Sequence, residues 1–348
     1  SPMCQYSAID GMPEDWHVVH LGGRAVGGAG LVMAEATGVS PEGRITPGCL
    51  GIWSDAHLPM HARIARFIAS QGAVPAIQLG HAGSKASRML PWEGGGPLKP
   101  DQGAWQVSGA SAIPFDAASP VPQMMDQAAI EKVLADFVAA AKRSVAAGYK
   151  LIELHGAHGY LLHQFLSPIA NKREDDYGGS LANRLRFPLE VFDAVRDAFP
   201  ADRPVWMRVS ATDWVPNGWD IEGTVALAAE LQARGSAAIH VSTGGVSPEQ
   251  AIKLGPGYQV PYAQRVKAAV GLPTIAVGLI TEPEQAESII AGNEADAISI
   301  ARAMLYDPRW PWHAAARLGA RVHAPRQYWR SQPRDFKDLF IDAGQGQR

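Results

Sequence analysis

The sequence predicts a single α/β domain folded as a (β/α)8, or TIM, barrel. Seven short apolar runs rich in β-branched residues recur along the chain, and the stretches between them carry helical spacing. Runs this apolar suit strands buried on both faces, as in a parallel sheet. No low-complexity linker interrupts the 348 residues. An open doubly wound sheet would show a G-x-G-x-x-G turn opening an early helix, and none is present. Seven unbroken β–α repeats therefore favour a closed barrel.

In chain order the expected strands are Gly30–Thr37, Val74–Gly80, Leu151–His155, Val205–Ser210, Ala237–Ser242, Thr274–Gly278 and Ala297–Ala301. Between them, Gln127–Ala147 places Ile130, Val133, Leu134, Phe137, Val138, Ala141 and Val145 along one stripe, the mark of an amphipathic helix. Gly223–Arg234 and Pro283–Ala291 behave similarly. Gly148, Gly235 and Gly292 stand where helices should stop, because glycine accepts the left-handed terminal conformation. The eighth strand should be the first of the barrel. Ser1 stands where that strand would end, so the first strand is expected to be missing or truncated in this sequence.

Bulk composition narrows the class. The chain is 47% hydrophobic and 19% charged, with a formal net charge of -3. That gives no basic surface for nucleic acid. The two cysteines, Cys4 and Cys49, cannot frame a disulfide-rich fold or ligate a four-thiolate cluster. No apolar run approaches the ~20 residues of a membrane helix, and no signal peptide precedes the first motif. A cytoplasmic setting is the expectation.

Barrel chemistry sits at the C-terminal strand ends. Gly278 and Arg302 fall at the last two ends, where a phosphate recurrently binds. Glycine permits close backbone approach, and arginine offers a planar fork. The alternative is that Arg302 only caps a helix or pairs with Asp307. His155-Gly-Ala-His158-Gly-Tyr160 follows the Leu151 run. Both imidazoles could donate hydrogen bonds to an oxygen gaining charge, and Tyr160 could deliver a proton. A metal pair and purely structural histidines are open alternatives. A metal would need further ligands that the sequence does not place nearby, so no metal site is expected. His17 and His20 share that spacing on a predicted helix and read as structural. Trp92, Trp105, Trp310 and Trp312 read as packing residues.

Ser1-Pro2-Met3-Cys4-Gln5-Tyr6, the HGAHGYL stretch from His155 to Leu161, and the long NKREDDYGGSLANRLRF stretch from Asn171 to Phe187 resemble the old yellow enzymes. The Gly43–Asp55 loop and Ala324-Pro325-Arg326-Gln327-Tyr328 resemble the bacterial branch typified by YqjM and xenobiotic reductase A. The resemblance spans residues 1–330, one FMN-binding barrel domain. Residues 331–348 form an extension with no assigned role.

The resemblance implies an FMN-dependent NADPH dehydrogenase, with NADH as alternative reductant. It would reduce the C=C bond of α,β-unsaturated carbonyl compounds by ping-pong hydride transfer through flavin N5. Ser1, Pro2, Met3, Cys4, Ala36 and the Gln78 amide would border the flavin ring, and Arg208 would face its N1/O2 edge. Gly278, Ala301 and Arg302 would hold the phosphate. His155 and His158 would bind the substrate carbonyl, Tyr6 would touch the same end, and Tyr160 would protonate the α-carbon. Cys4 would tune the flavin. A homodimer or homotetramer is implied, with Trp329 and Arg330 entering a neighbouring active site. The chain departs from its relatives at Ser84, where Arg is frequent, and at Ala301, where Gly is frequent. Larger flavin/iron–sulfur reductases need a cysteine cluster after the barrel, and no Cys follows position 49. A metal-dependent hydrolase on the same barrel, or a truncated non-catalytic barrel, are the alternatives.

Overall fold

The computed structural model describes residues 1–343. The notable strands are β1 (Leu31–Gly38), β2 (Val74–Gly80), β3 (Ser108–Gly109), β4 (Gln123–Met124), β5 (Leu151–Gly156), β6 (Val205–Ser210), β7 (Ile239–Ser242), β8 (Thr274–Ala276) and β9 (Ala297–Ile298). Seven of them form one parallel sheet in the order β1-β2-β5-β6-β7-β8-β9. The two-residue pair β3–β4 lies apart in a long loop. The curled sheet is the expected barrel opened at one seam: among the described residues no strand pairs with both β1 and β9. At its upper end the Ser1 amino group donates to the Ile300 carbonyl at 2.8 Å. Below that contact the seam is a cavity of about 600 Å³ between Gly30–Met33 and Ala297–Ser299.

The last three strands are shorter than their apolar runs. Ile239–Ser242, Thr274–Ala276 and Ala297–Ile298 replace the expected Ala237–Ser242, Thr274–Gly278 and Ala297–Ala301. A ladder needs a partner, and β9 has one only on the β8 side. Beyond Ile298 the chain leaves the sheet and forms α9 (Arg302–Tyr306).

Helices pack on the outer face. They are α1 (Asp15–Val26), α2 (Leu58–Ser70), α3 (Gln127–Ala146), α4 (Leu161–Leu166), α5 (Leu181–Ala198), α6 (Ile221–Ala233), α7 (Val260–Val270), α8 (Pro283–Ala291), α9 and α10 (Trp310–Arg317). The stripe read from α3 is borne out: Ile130, Val133, Phe137 and Ala141 are buried. They join Ile77, Leu79, Ile152 and Leu154 of the strands in one apolar cluster. Local capping starts these helices where the sequence turns polar. The Asp126, Ser180 and Asp220 side chains accept from Ala129, Asn183 and Gly223 N–H at 2.8, 3.2 and 2.9 Å.

The long Asn171–Phe187 stretch has a structural task. Arg173 is buried and donates to the carbonyls of Ala110 and Met125 at 3.0 and 2.7 Å. Asn171 donates to the Phe165 and Tyr177 carbonyls, both at 2.8 Å. The motif thus fastens the β3–β4 loop to the α4–α5 connection.

Inside the sheet, side chains alternate inward along each strand and stack in layers. Ala76, Leu151, Trp206 and Ala238 form an apolar floor with Met33 and Ile275. Two residues further along the same strands come Gln78, Glu153, Arg208 and His240. His155, Ser210 and Ser242 follow at the mouth. The interior changes from apolar to polar toward the C-terminal strand ends.

The C-terminal segment is tethered. Leu339 and Phe340 are buried against Trp312, and Val322 bridges to Phe340. Residues 344–348 of the predicted extension lie outside the described residues.

Candidate active site

Tyr160, His158 and His155 converge above the polar layer. The His155 ring stands edge-on to His158 and Tyr160, with centroids 5.2 and 4.8 Å apart. His155 is the penultimate residue of β5, and its Nδ1 accepts from the Ala157 N–H at 3.4 Å. That places the ring proton on Nε2. Burial first, then Arg208, pushes this imidazole down to about 3, so it is a neutral donor at pH 7. His158 has a φ of 59°, a left-handed turn that brings its ring back over the mouth. Its N–H donates to Ser210 Oγ at 2.9 Å, and its Nε2 lies 2.7 Å from Ser242 Oγ. The Ser242 hydroxyl donates to Gln259 Oε1 at 2.9 Å. Ser242 Oγ therefore accepts from His158 Nε2–H, and the free donor of the pair is His155. Burial pushes the Tyr160 phenol well up, so it keeps its proton.

The loop carrying these groups has deep support. Asp213 is fully buried, 2.9 Å from His163 Nε2, and accepts from Ser167 Oγ at 2.6 Å. His163 Nδ1 accepts from the Gly159 N–H at 2.8 Å. Gly159 has a φ of +73° and a Cβ there would sit 2.2 Å from the Gly245 carbonyl oxygen, so only glycine passes between His158 and Tyr160.

Arg208 and Gln78 form the layer beneath. Arg208 is buried, and its Nε has no hydrogen-bond partner among the described residues. Among the described residues it joins no ion pair. A buried guanidinium with an unmet donor is costly and suits a ligand that brings an acceptor edge. Gln78 Nε2 donates to Glu153 Oε1 at 2.7 Å.

At the seam, Cys4 sits by Cys49 and the Ala36 N–H, and the Cys49 sulfur, then burial, raises its thiol well above the ordinary range. It is a protonated thiol, not a nucleophile. A bulge between Ala34 and Ala36 turns Glu35 toward the Gln5 N–H, which anchors the Ser1–Tyr6 segment. Glu35 also lies 3.6 Å from buried His17, which fits the structural role expected of that histidine. Tyr6 is half-buried with Trp92 edge-on at 6.0 Å. Trp92 is 66% exposed, so it is not the packing residue expected. It flanks Tyr6 from the short turn Pro91–Glu93, none of whose residues is buried. Trp312 does pack, under Tyr328 and Phe340.

Gly278 and Arg302 follow adjacent strands β8 and β9. Gly278 has a φ of +119°, and a Cβ would meet Gln259 at 2.7 Å. Arg302 is exposed and heads α9 after Ala301. Asp307 takes His313 at 2.6 Å instead, so the Arg302–Asp307 alternative does not form. Trp329 and Arg330 are not brought to this cluster within one chain. Trp329 donates to the Ala324 carbonyl at 3.0 Å, and Arg321–Pro325 lies beside Gly28–Gly30, at the other end of β1.

Lys85 was not singled out in the sequence. Its Nζ donates to the His158 and Gly245 carbonyls at 2.9 and 2.8 Å and rests on the Phe115 and Tyr160 rings. Burial, then Arg88, pushes it down to about 8. Its position after Gly83-Ser84 at a strand end was the available signal. Its carbonyl partners lie 73 and 160 residues away. Among the described residues, no cluster of three His, Cys, Asp or Glu could hold a metal ion, and no helix is long and apolar enough to cross a membrane.

Burial holds His61, His81, His155 and His240 at about 4, 4, 3 and 4, against 6.5 in the unfolded chain. The unfolded state therefore binds more protons as pH falls below 6.5. Stability is intact above 6.5 and declines toward 4, by about 1.4 kcal/mol per pH unit for each histidine. Thermal melts should be flat from pH 8 to 7 and fall steeply from 6.5 to 5. An unchanged melting temperature at pH 5 would contradict this.

A family model described as the NADH:flavin oxidoreductase / NADH oxidase family matches residues 1–320. The NADPH dehydrogenase of Geobacillus thermodenitrificans is 42% identical over 332 residues, which is 95% of this chain and 92% of that protein. Among solved structures, morphinone reductase superposes with a TM-score of 0.77 at 27% identity, covering 100% of this chain and 93% of that one. The 2-naphthoyl-CoA reductase complex gives 0.80 at 27% identity, covering 92% of this chain but only 49%, about half, of that longer one.

Proposed function

The chain belongs to the NADH:flavin oxidoreductase / NADH oxidase family, and from that premise we propose that it is an FMN-dependent ene-reductase of the old yellow enzyme type, working ping-pong with NADPH or NADH. The observation that carries this reading is the His155–His158–Tyr160 cluster standing directly above a buried, unpaired Arg208.

The residues present fit FMN. Arg208 has an orphaned Nε and would offer it to the N1/O2 edge of the ring. Gln78 Oε1 has no hydrogen-bond partner among the described residues. Gly278 follows β8 and Ala301 and Arg302 follow its neighbour β9, and these three would hold the phosphate. Ser1–Cys4 and Ala36 would border the ring. Bound FMN would supply a two-electron carrier between the nicotinamide and an electron-poor alkene.

His155 Nε2–H donates to the substrate carbonyl and stabilises the charge that grows there. His158 joins that oxygen when its ring turns away from Ser242. Tyr160 holds a proton for the α-carbon, and Lys85 fixes the Tyr160 ring against the His158 loop. Tyr6 closes the carbonyl end, and Cys4 stays protonated beside the ring. The domain is one barrel over residues 1–330, working in the cytoplasm. In a homodimer or homotetramer, Trp329 and Arg330 serve a neighbouring chain.

The test is the visible spectrum of the isolated protein. Flavin bands should be present, NADPH should bleach them, and cyclohexenone should restore them. A colourless protein that FMN does not reconstitute would end this reading.

A further inference from the structure

Glu153 is fully buried beneath the mouth and makes three short contacts. Its Oε1 accepts from Gln78 Nε2 at 2.7 Å. Its Oε2 accepts from Trp206 Nε1–H at 2.7 Å and faces His240 Nδ1 at 2.7 Å. The indole is a donor only. The pairings Gln78↔Glu153 and Glu153↔Trp206 sit in register across β2, β5 and β6. Burial opposes ionisation of this carboxyl, yet His240, Arg208 and the Trp206 N–H hold it down at about 2. An ionised carboxylate only accepts hydrogen bonds. Gln78 must therefore turn its NH2 toward Glu153, which leaves Oε1 on the opposite side.

We propose that Glu153 is a positioning residue that locks the Gln78 amide, so that the site presents an acceptor, not a donor, to a ring N–H of the bound cofactor. The inference rests on the reading that the flavin ring lies on Gln78. The partner chemistry is the imide N3–H of the isoalloxazine. Gln78 alone would read that edge ambiguously, because an amide can rotate by half a turn at little cost. The carboxylate removes that freedom before the ring arrives, which is preorganisation.

A reciprocal swap separates a positioning role from a merely structural one. In Glu153→Gln, the Trp206 and His240 donors claim the new side chain's oxygen, so its NH2 faces Gln78. Gln78 then flips and points its own NH2 at the imide N–H, donor against donor. In the double variant Gln78→Glu/Glu153→Gln, the carboxylate at 78 accepts from both sides again.

The experiment is titration of apo-protein with FMN, followed by quenching of flavin fluorescence, with thermal melts of each apo-protein. Kd should rise about 30-fold in Glu153→Gln, the size expected when a buried hydrogen bond is replaced by an unmet donor. The double variant should return to within about threefold of wild type. If wild type itself does not bind FMN, the flavin reading fails. If wild type binds and Glu153→Gln binds equally well, the positioning role fails. Equal loss of affinity or of folding in both variants would also overturn it, because a merely structural Glu153 is not rescued by moving the carboxylate to 78.

Discussion

Replacing His155 with alanine should slow reduction of an enone by about 100- to 1,000-fold, the range seen when one donor to a developing oxyanion is removed. The expectation follows from the ring's protonation state. The Ala157 N–H occupies Nδ1, so the single proton of a neutral ring sits on Nε2. His158 cannot cover the loss in place, because its Nε2 is spent on Ser242 at 2.7 Å. His155→Asn restores an N–H donor and should lose less. With its own titration down at about 3, His155 should impose no pH dependence on wild-type turnover between pH 5 and 9. Single-turnover reoxidation of the reduced enzyme by cyclohexenone reads the effect. An unchanged rate in His155→Ala would remove this residue from the site.

Replacing Arg208 with methionine should weaken FMN binding about 100-fold, since a charge-assisted hydrogen bond to a buried group is lost. It should also lower the two-electron potential by about 30–60 mV, because the reduced ring carries the charge that the guanidinium stabilises. The cause is visible in the chain: Arg208 is buried, with an unpartnered Nε and a carboxylate near it, Glu153, whose contacts go elsewhere. Arg208→Lys keeps the charge but loses the planar fork. It should preserve most of the potential while losing affinity. Equilibrium binding and a potentiometric titration separate the two. Wild-type affinity and potential in Arg208→Met would show that the cation faces something other than the ring.

Much of this site was legible because strand ends are legible. An apolar run of strand length followed by polar residues and glycine locates a barrel rim, and His155, Arg208 and Gln78 all emerge from such runs. The shared cluster of His155, His158 and Tyr160 follows from a short motif on one loop. Other parts were out of reach. Glu153 reads only as a polar residue near the end of the Leu151–His155 run, with no role, until β2, β6 and β7 surround it. Lys85 gains its role from a carbonyl 160 residues away. Leu339 and Phe340 could not be told from a loose tail until Trp312 covered them.

The sequence by itself determined the repeating parallel architecture, the identity of the rim residues and the family to which the motifs point. Those are properties of local spacing, because side-chain direction repeats every two residues in a strand and every 3.6 in a helix. The tertiary structure alone decided which imidazole keeps a free donor and which buried carboxylate meets the Gln78 amide. Each of those depends on a hydrogen bond between strands far apart in sequence, and the direction of such a bond is fixed only when closure of the sheet brings donor and acceptor to within 3 Å.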